Sequence, residues 1–357
     1  MKKFFTLLLA VISTMTAFAQ TEPAIELQAE VDGNTRTLTI GLGVEGTVQI
    51  DWGNGEKVTS EVIPAFDGWN QVDVSGTVSG DGKVKIYGDN IVYFECSSRV
   101  DGAQVLSLDV TKATALKDLT ANANKLTSID LTKNTELEKL YININQLTSI
   151  DISKCTKLTT LDINNNLLTA IDITKNQALQ TLRIGQNKLT GELDLSTNPT
   201  IKSVYALTNE LTSVKIGNNT ASKPYFSFNY NKLTSIDASG INDAKNATLF
   251  LIGNQLTEIK LPATQMKSLN ITKNNFTLAT LPAPSVAKFF TYAPQNDYVI
   301  AESYKVGDVL DLSSQTSATL NTQFAVYKSD KTALTEGTDY TVADGKITFL
   351  TAQEAVY

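Results

Sequence analysis

A repeated unit of about 21 residues fills the sequence between residues 105 and 283, and it constrains the fold more than any other feature. Units begin at Leu116, Leu137, Leu158 and Leu179, and later units begin near residues 201, 223, 246 and 266. One unit is too small to bury its own apolar side chains, so consecutive units must stack and cover one another. The repeat therefore predicts a solenoid of about eight turns.

Each unit carries two apolar clusters within the pattern L-x-x-L-x-L/I-x-x-N-x-L-T-x-I-D-L/I-T-K-N. In the second unit, Leu140 and Ile142 alternate with polar residues, as a strand with one buried face requires. The second cluster, Leu147, Ile150 and Ile152, brings the chain back to the same core from the other side. Because the residues between favour turns over helices, the pattern predicts a parallel sheet backed by extended segments and tight turns.

An asparagine stands at the same position of all eight units. Its carboxamide can pair backbone N–H and C=O groups that the turning chain would otherwise bury without partners. We therefore expect a structural ladder rather than a row of ligand-binding side chains, formed by Asn124, Asn145, Asn166, Asn187, Asn209, Asn231, Asn254 and Asn274.

The repeat resembles the short leucine-rich repeats of internalins, in particular those whose strands carry a cysteine ladder, and repeats in secreted surface proteins of gut bacteria. The resemblance implies a right-handed leucine-rich-repeat solenoid of the α/β horseshoe class, mostly β with little helix. It also implies recognition or adhesion outside the cell through the concave sheet. Where the internalin subgroup has cysteine, this chain has Ala121, Ile142, Ile163, Ile184, Ala206, Phe228, Leu251 and Ile271.

Small β-sandwich-like regions are expected on both sides of the solenoid, which we assign to residues 105–298. Residues 20–104 predict an N-terminal β cap, since they contain alternating runs such as TLTIGL and TVQIDW, and a DWGNG phrase that resembles PKD-like sandwiches. Within the cap, residues 91–96 resemble a first solenoid strand. Residues 299–357 predict an Ig-like module, which we expect to be incomplete because the sequence stops within an expected strand.

The first residues predict export. Lys2 and Lys3 precede an apolar run, and Ala17-Phe18-Ala19 offers a cleavage site, so residues 1–19 are read as a signal peptide. We expect an extracellular or cell-surface protein, with the periplasm as the alternative. Removal of the signal peptide moves the formal charge of the chain from -7 to -9. This negative charge argues against nucleic acid or anionic lipid as partner. No later apolar stretch approaches the roughly 20 residues of a membrane span.

Composition and spacing also argue against catalysis. The chain has no histidine, which excludes Ser-His and Cys-His hydrolases. Cys96 and Cys155 are expected to be free thiols. A convex row of aspartates is accompanied by lysines, so we read it as a solvated charge row and not as a calcium site. We therefore expect no cofactor, no metal and no enzymatic activity. The row comprises Asp109, Asp130, Asp151 and Asp172.

Aromatic residues gather on the concave side of the later units, where a contiguous apolar patch usually marks an interaction surface. We expect Tyr205, Tyr225 and Phe250 to form its centre. The leading hypothesis is a monomeric, non-catalytic recognition or adhesion module that binds a protein; the alternatives are a carbohydrate-binding surface protein and a structural spacer. The full set of candidate ligand-binding residues is Tyr141, Arg183, Tyr205, Tyr225, Tyr230 and Phe250.

Overall fold

The computed structural model describes residues 22–64, 70–98, 104–277, 280–296, 303–313, 324–328 and 330–353. The expected signal peptide, residues 1–19, lies outside the described residues. In the described part, no α-helix is present; two three-residue 3-10 turns span Ala244–Asn246 and Pro284–Val286, and Ser313 also has a 3-10 conformation. Within that part, no helix is long and apolar enough to cross a bilayer.

The N-terminal region is an antiparallel β structure. Strand β1 pairs with β6 and β8, β2 pairs with β5 and β7, and β3 pairs with β4 and β6. Alternate residues of these strands face a core that contains the fully buried Leu38, Ile40 and Phe94. The strands are β1 Ile25–Ala29, β2 Thr35–Leu42, β3 Gly46–Asp51, β4 Lys57–Pro64, β5 Asn70–Thr77, β6 Lys83–Tyr87, β7 Ile91–Glu95 and β8 Val105–Asp109.

The repeats form the predicted solenoid. The strands of its main sheet lie side by side in parallel, in the order β9, β10, β11, β12, β14, β16, β18, β19 and β20. Each three-residue strand of this sheet places its central residue in the core. The strands are β9 Asp118–Thr120, β10 Lys139–Tyr141, β11 Thr160–Asp162, β12 Thr181–Arg183, β13 Thr190–Asp194, β14 Ser203–Tyr205, β15 Glu210–Lys215, β16 Tyr225–Ser227, β17 Ser235–Asp237, β18 Thr248–Phe250, β19 Met266–Asn270 and β20 Ala287–Thr291.

Strand β7 joins the N-terminal region to this sheet. It pairs in parallel with β9, with Phe94 opposite Leu119, and antiparallel with β2 on its other side. The sheet is therefore continuous from the cap into the repeats, and its N-terminal edge is paired. An unpaired strand edge would otherwise invite association with other chains.

One apolar core runs through the stack between the strands and the return segments. The strand side contributes fully buried residues such as Leu140 and Ile142, and the return side contributes Leu147 and Ile152. All eight positions that carry cysteine in the internalin subgroup are buried here by aliphatic, small or aromatic residues. The core shared by all turns and the near absence of helix in the described part confirm the predicted solenoid.

The asparagine side chains pair the backbone of neighbouring turns. In one turn, Asn166 donates from Nδ2 to the carbonyl oxygens of Ile142 (3.1 Å), Ile163 (3.2 Å) and Asn164 (3.3 Å), and its Oδ1 accepts from the N–H of Leu147 (3.0 Å). The other seven asparagines make the same bonds, and seven of the eight are buried, Asn187 being half-buried. We call this series the asparagine ladder.

A second row of buried asparagines, absent from the sequence-based predictions, supports the return side. Asn176 donates to the carbonyl oxygens of Ile152 (3.0 Å) and Cys155 (2.8 Å) in the preceding turn. Cys155 occupies the equivalent position of its own turn, where its thiol lies 3.9 Å from the carbonyl oxygen of Leu131. The fully buried members are Asn134, Asn176, Asn198 and Asn219.

The described C-terminal residues form a three-stranded antiparallel sheet, β21 Val309–Asp311, β22 Tyr340–Ala343 and β23 Lys346–Phe349. A small core of its own includes Ile347 and Phe349. An Ig-like topology for residues 299–357 stays a prediction.

Candidate recognition surface

The solenoid sheet presents one face to solvent, which we call the open face. In each three-residue strand the central residue points into the core, so the first and third residues point outward, as Thr160 and Asp162 do on either side of Leu161. Outward residues of neighbouring strands are in register, and adjacent parallel strands lie about 4.8 Å apart. Side chains from consecutive turns therefore form continuous rows on this face.

Three aromatic rings meet on the open face, and we call them the aromatic cluster. The ring centroids of Tyr205 and Tyr225 are 5.1 Å apart with a 31° interplanar angle. Those of Tyr225 and Phe250 are 5.6 Å apart at 76°, an edge-to-face arrangement. All three rings are half-buried, and none belongs to the hydrophobic core. The cluster is thus a partly exposed apolar surface carried by three neighbouring strands, β14, β16 and β18.

An arginine borders the aromatic cluster. The guanidinium carbon of Arg183 lies 5.4 Å from the ring centroid of Tyr205, within the range of a cation–π contact. Its Nη1 is 3.5 Å from Oδ2 of Asp162, whose carboxylate is buried. The guanidinium is therefore held between a carboxylate and a ring, with hydrogen-bond donors left at the margin of the cluster.

Two of the six candidate residues lie apart from this arrangement. Tyr141 stands on β10, with the whole of β11 between it and Arg183. Tyr230 follows β16 at a position where the backbone turns left-handed, with φ of 56°. Its ring covers Gly253, where a Cβ would lie 2.6 Å from the Tyr230 ring. The structure thus brings together Arg183, Tyr205, Tyr225 and Phe250.

Phe289 is an aromatic residue of the open face that the sequence-based prediction did not include. Phe289 on β20 lies in register with Ser268 and is 57% exposed, and the ammonium nitrogen of Lys288 is 5.5 Å from its ring centroid. Its turn, AKFFTYAPQ, lacks the leucine and asparagine of the repeat. Gln295 takes the asparagine position there, donating to the carbonyl oxygens of Ile271 (3.0 Å) and Tyr292. The sequence signal for this turn is that Gln295 follows Asn274 by 21 residues, the spacing of the repeat.

The first strand, β7, also contributes to the open face. The hydroxyl of Tyr93 donates to Oε2 of Glu95 at 2.8 Å. Burial and the neighbouring carboxylate raise the pKa of Tyr93, so the phenol stays protonated at neutral pH. Neither residue was predicted to lie on the open face, because residues 20–104 were expected to form the cap, although residues 91–96 resemble a solenoid strand.

Charged residues concentrate at this N-terminal end of the open face. Burial raises the pKa of Asp118, and Lys139, 3.5 Å away, opposes the rise. Lys117 and Glu138 form a second pair at 3.7 Å. In the aromatic cluster, burial followed by the neighbouring Tyr205 raises the pKa of Tyr225, which is neutral at physiological pH. The face therefore offers ion pairs at one end and uncharged aromatic surface at the other.

The convex aspartates have a local structural role. Oδ1 of Asp130 accepts hydrogen bonds from the N–H of Thr132 at 2.9 Å and from its hydroxyl at 2.7 Å, and these bonds lower the pKa of Asp130. Asp151 and Asp172 accept the equivalent backbone bonds. Each carboxylate thereby closes its own turn. Among the residues described, no three histidine, cysteine or acidic side chains are grouped to hold a metal.

The two cysteines are free and buried. Cys96 follows β7 in the core layer, and burial raises the pKa of its thiol to about 12. Burial likewise raises the pKa of the Cys155 thiol to about 11. Both thiols are therefore protonated at neutral pH and poor nucleophiles.

Stacked parallel strands, a 21-residue period and an inward asparagine in each turn define the repeat region as a leucine-rich-repeat solenoid. A family profile described as "Leucine Rich repeats (2 copies)" matches residues 135–175. No curated protein sequence matches this chain significantly.

Solved structures with a similar arrangement come from several bacteria. The functional domain of InlJ from Listeria monocytogenes, which includes a cysteine ladder, is 20% identical over 73% of this chain and 61% of its own, with a TM-score of 0.47. The Leptospira interrogans leucine-rich-repeat protein LIC12759 is 18% identical over 52% and 57% (TM-score 0.39). YopM, a leucine-rich effector of Yersinia pestis, is 21% identical over 50% and 49% (TM-score 0.40). The chain thus spans about half to three fifths of these proteins.

Proposed function

We propose that this protein is a non-catalytic recognition module that binds a protein partner through the aromatic cluster of its open face. The observation that carries the proposal is the contact of Tyr205, Tyr225 and Phe250 outside the core, on adjacent strands of a rigid sheet. Leucine-rich-repeat solenoids typically serve as binding scaffolds, because stacking produces an extended surface that a partner can cover.

The physical chemistry of the cluster supports a protein partner. Tyrosine, tryptophan and arginine are the residues that most often dominate binding energy at the centre of an interface. The rings already contact one another and Arg183 already contacts Tyr205, so little side-chain freedom remains to be lost on binding. The ion pairs at the other end of the face would add orientation and electrostatic steering rather than most of the affinity.

The setting of this recognition is proposed to be outside the cell. The leader-like first 19 residues support export, and the acidic balance of the chain disfavours nucleic acid as a partner. Adhesion at a cell surface, by a chain that acts as a monomer, is the role these features fit best.

A carbohydrate ligand is the second candidate, and one arrangement favours it. Arg183 and the tyrosine hydroxyls place hydrogen-bonding groups directly beside exposed rings, and a sugar ring presents one apolar face and a rim of hydroxyls. A glycan array and a library of secreted and cell-surface proteins, probed with the same purified chain, separate the two candidates.

The site is tested by the double substitution Tyr205→Ala and Phe250→Ala, measured against the partner that the library or array identifies. Loss of the two central aromatics is expected to weaken binding at least ~30-fold, since about 2 kcal/mol from one truncated ring already corresponds to that factor. Thr160→Ala, on the same face but three strands from Tyr225, serves as the control and is expected to leave affinity unchanged. A double variant that folds and binds with wild-type affinity would refute the assignment of the site.

A further inference from the structure

A second parallel sheet lies on the side of the solenoid away from the open face. Strands β13, β15 and β17 pair in register, with Leu193, Val214 and Ile236 pointing into the same core that the main sheet covers. Since the two sheets enclose one core, their outward faces are opposite to each other. In the equivalent segments of the earlier repeats, residues 126–131, 147–152 and 168–173, no strand is formed.

The outward side of this second sheet contains a groove of about 420 Å³. One row of its lining runs across the strands through Glu192, Ser213 and Ser235, which are paired in register. The other row runs through Lys215, Asp237 and Lys260. The volume lies within the roughly 300–1,000 Å³ typical of small-molecule sites. We call this feature the polar groove.

Ion pairs and a hydrogen bond link several of the lining side chains at the surface. Lys215 is 3.1 Å from a carboxylate oxygen of Asp194 and Lys260 is 3.6 Å from one of Asp237. On the other row, the hydroxyl of Ser213 donates to Oε2 of Glu192 at 3.3 Å. Because opposite charges alternate, neither a strongly anionic nor a strongly cationic ligand gains much from the groove as a whole.

The lining therefore selects by hydrogen bonding. Carboxylates accept, ammonium groups donate, and serine hydroxyls do both. A sugar hydroxyl can also donate and accept at once, so a polyhydroxylated chain can satisfy both rows. No aromatic side chain lines the groove, and its lining combines these polar groups with the aliphatic residues Val214 and Ile236.

We propose that the polar groove binds a neutral oligosaccharide, and that the protein thereby links a glycan on one side to the partner of its open face on the other. The glycan-binding part of this inference stands independently of the proposed function, since it concerns a different surface with different chemistry.

The test is retention of the purified full-length chain on immobilised maltohexaose, cellohexaose and mannan. Ser235→Trp places an indole in the groove, and the matched control is Ser149→Trp, which occupies the same repeat position on an exposed site four turns earlier. Wild type and Ser149→Trp are expected to be retained on at least one of the three glycans. Ser235→Trp is expected to lose at least tenfold in affinity for it, with an unchanged unfolding midpoint.

The Tyr205→Ala and Phe250→Ala double variant distinguishes the two surfaces. Its retention on the same glycan is expected to equal that of wild type, whatever happens to the partner of the open face. The inference is overturned if wild type is retained on none of the three glycans, if Ser235→Trp is retained as well as Ser149→Trp, or if the double variant alone loses retention. That last result would place the sugar on the aromatic cluster instead.

Discussion

Replacing Asn166 by alanine removes one rung of the asparagine ladder. The N–H of Leu147 then loses its acceptor, and three carbonyl oxygens each lose a donor. Asn166 is buried, so water cannot readily replace the lost carboxamide. A buried backbone donor left unpaired costs about 1–3 kcal/mol, and we expect a loss of that size in the free energy of unfolding. Urea denaturation followed by circular dichroism measures it through the midpoint.

Two further variants make this test specific. Asn143→Ala, in the same stretch of repeats, removes a carboxamide that lies outside the ladder, and its midpoint is expected to stay close to wild type. Asn187→Ala removes a rung that is only half-buried, so solvent can partly satisfy the exposed groups and the loss should be smaller than for Asn166→Ala. Equal midpoints for Asn166→Ala and wild type would refute the reasoning, because they would show that the ladder bonds contribute nothing net.

Three other variants have expected outcomes. Cys155→Asn is expected to leave the melting temperature close to that of wild type. Its Nδ2 would gain two carbonyl bonds like those that Asn176 makes to the preceding turn, but its Oδ1 would be buried without a partner, as those of Asn134 and Asn176 are. A shift of more than about 4 °C in either direction would contradict this. Arg36→Met is expected to raise the free energy of unfolding by about 1 kcal/mol or more, because all three guanidinium nitrogens are buried with no hydrogen-bond partner among the described residues; a destabilised variant would show that the charge is paired. The turn bonds that lower the aspartate pKa values stabilise the fold above about pH 4, and that stability is lost as the pH falls through the lowered values. The triple variant replaces Asp130, Asp151 and Asp172 by asparagine, which can close the same turns without titrating. It is expected to lose less stability on acidification than wild type, which thermal melts from neutral to acid pH can measure. Parallel curves of melting temperature against pH for the two proteins would refute this.

The solenoid could be predicted from sequence because its determinants are local and repeated. A leucine at each strand centre and a fixed spacing specify stacking even where individual residues vary, as Val204 and Phe226 replace leucine in β14 and β16. The prediction depended on these repeated residue types, so it did not include the last turn, which lacks them. Phe290 and Gln295 fill the positions of leucine and asparagine there, so composition no longer marks the repeat although the geometry continues.

The 21-residue period alone does not predict every feature of the surface. Sequence spacing placed Tyr205, Tyr225 and Phe250 on one face, and their ring contacts follow from strand separation. Tyr230 was grouped with them, but the left-handed turn at its position places it beyond the end of the strand. The second sheet depends on how the return segments of three longer turns align with one another, which is a property of the stack rather than of any one unit.

The most direct test of the central claim is hydroxyl-radical footprinting of the wild-type chain, free and bound to the partner identified by the protein library or glycan array. This measurement locates the partner without altering the surface. We predict that binding lowers the oxidation rates of Tyr205, Tyr225 and Phe250, whereas the rate of Tyr327, an exposed tyrosine in the C-terminal part of the chain, stays the same. Unchanged rates at all three cluster residues, with protection confined to another surface, would contradict the claim that the aromatic cluster is the recognition site.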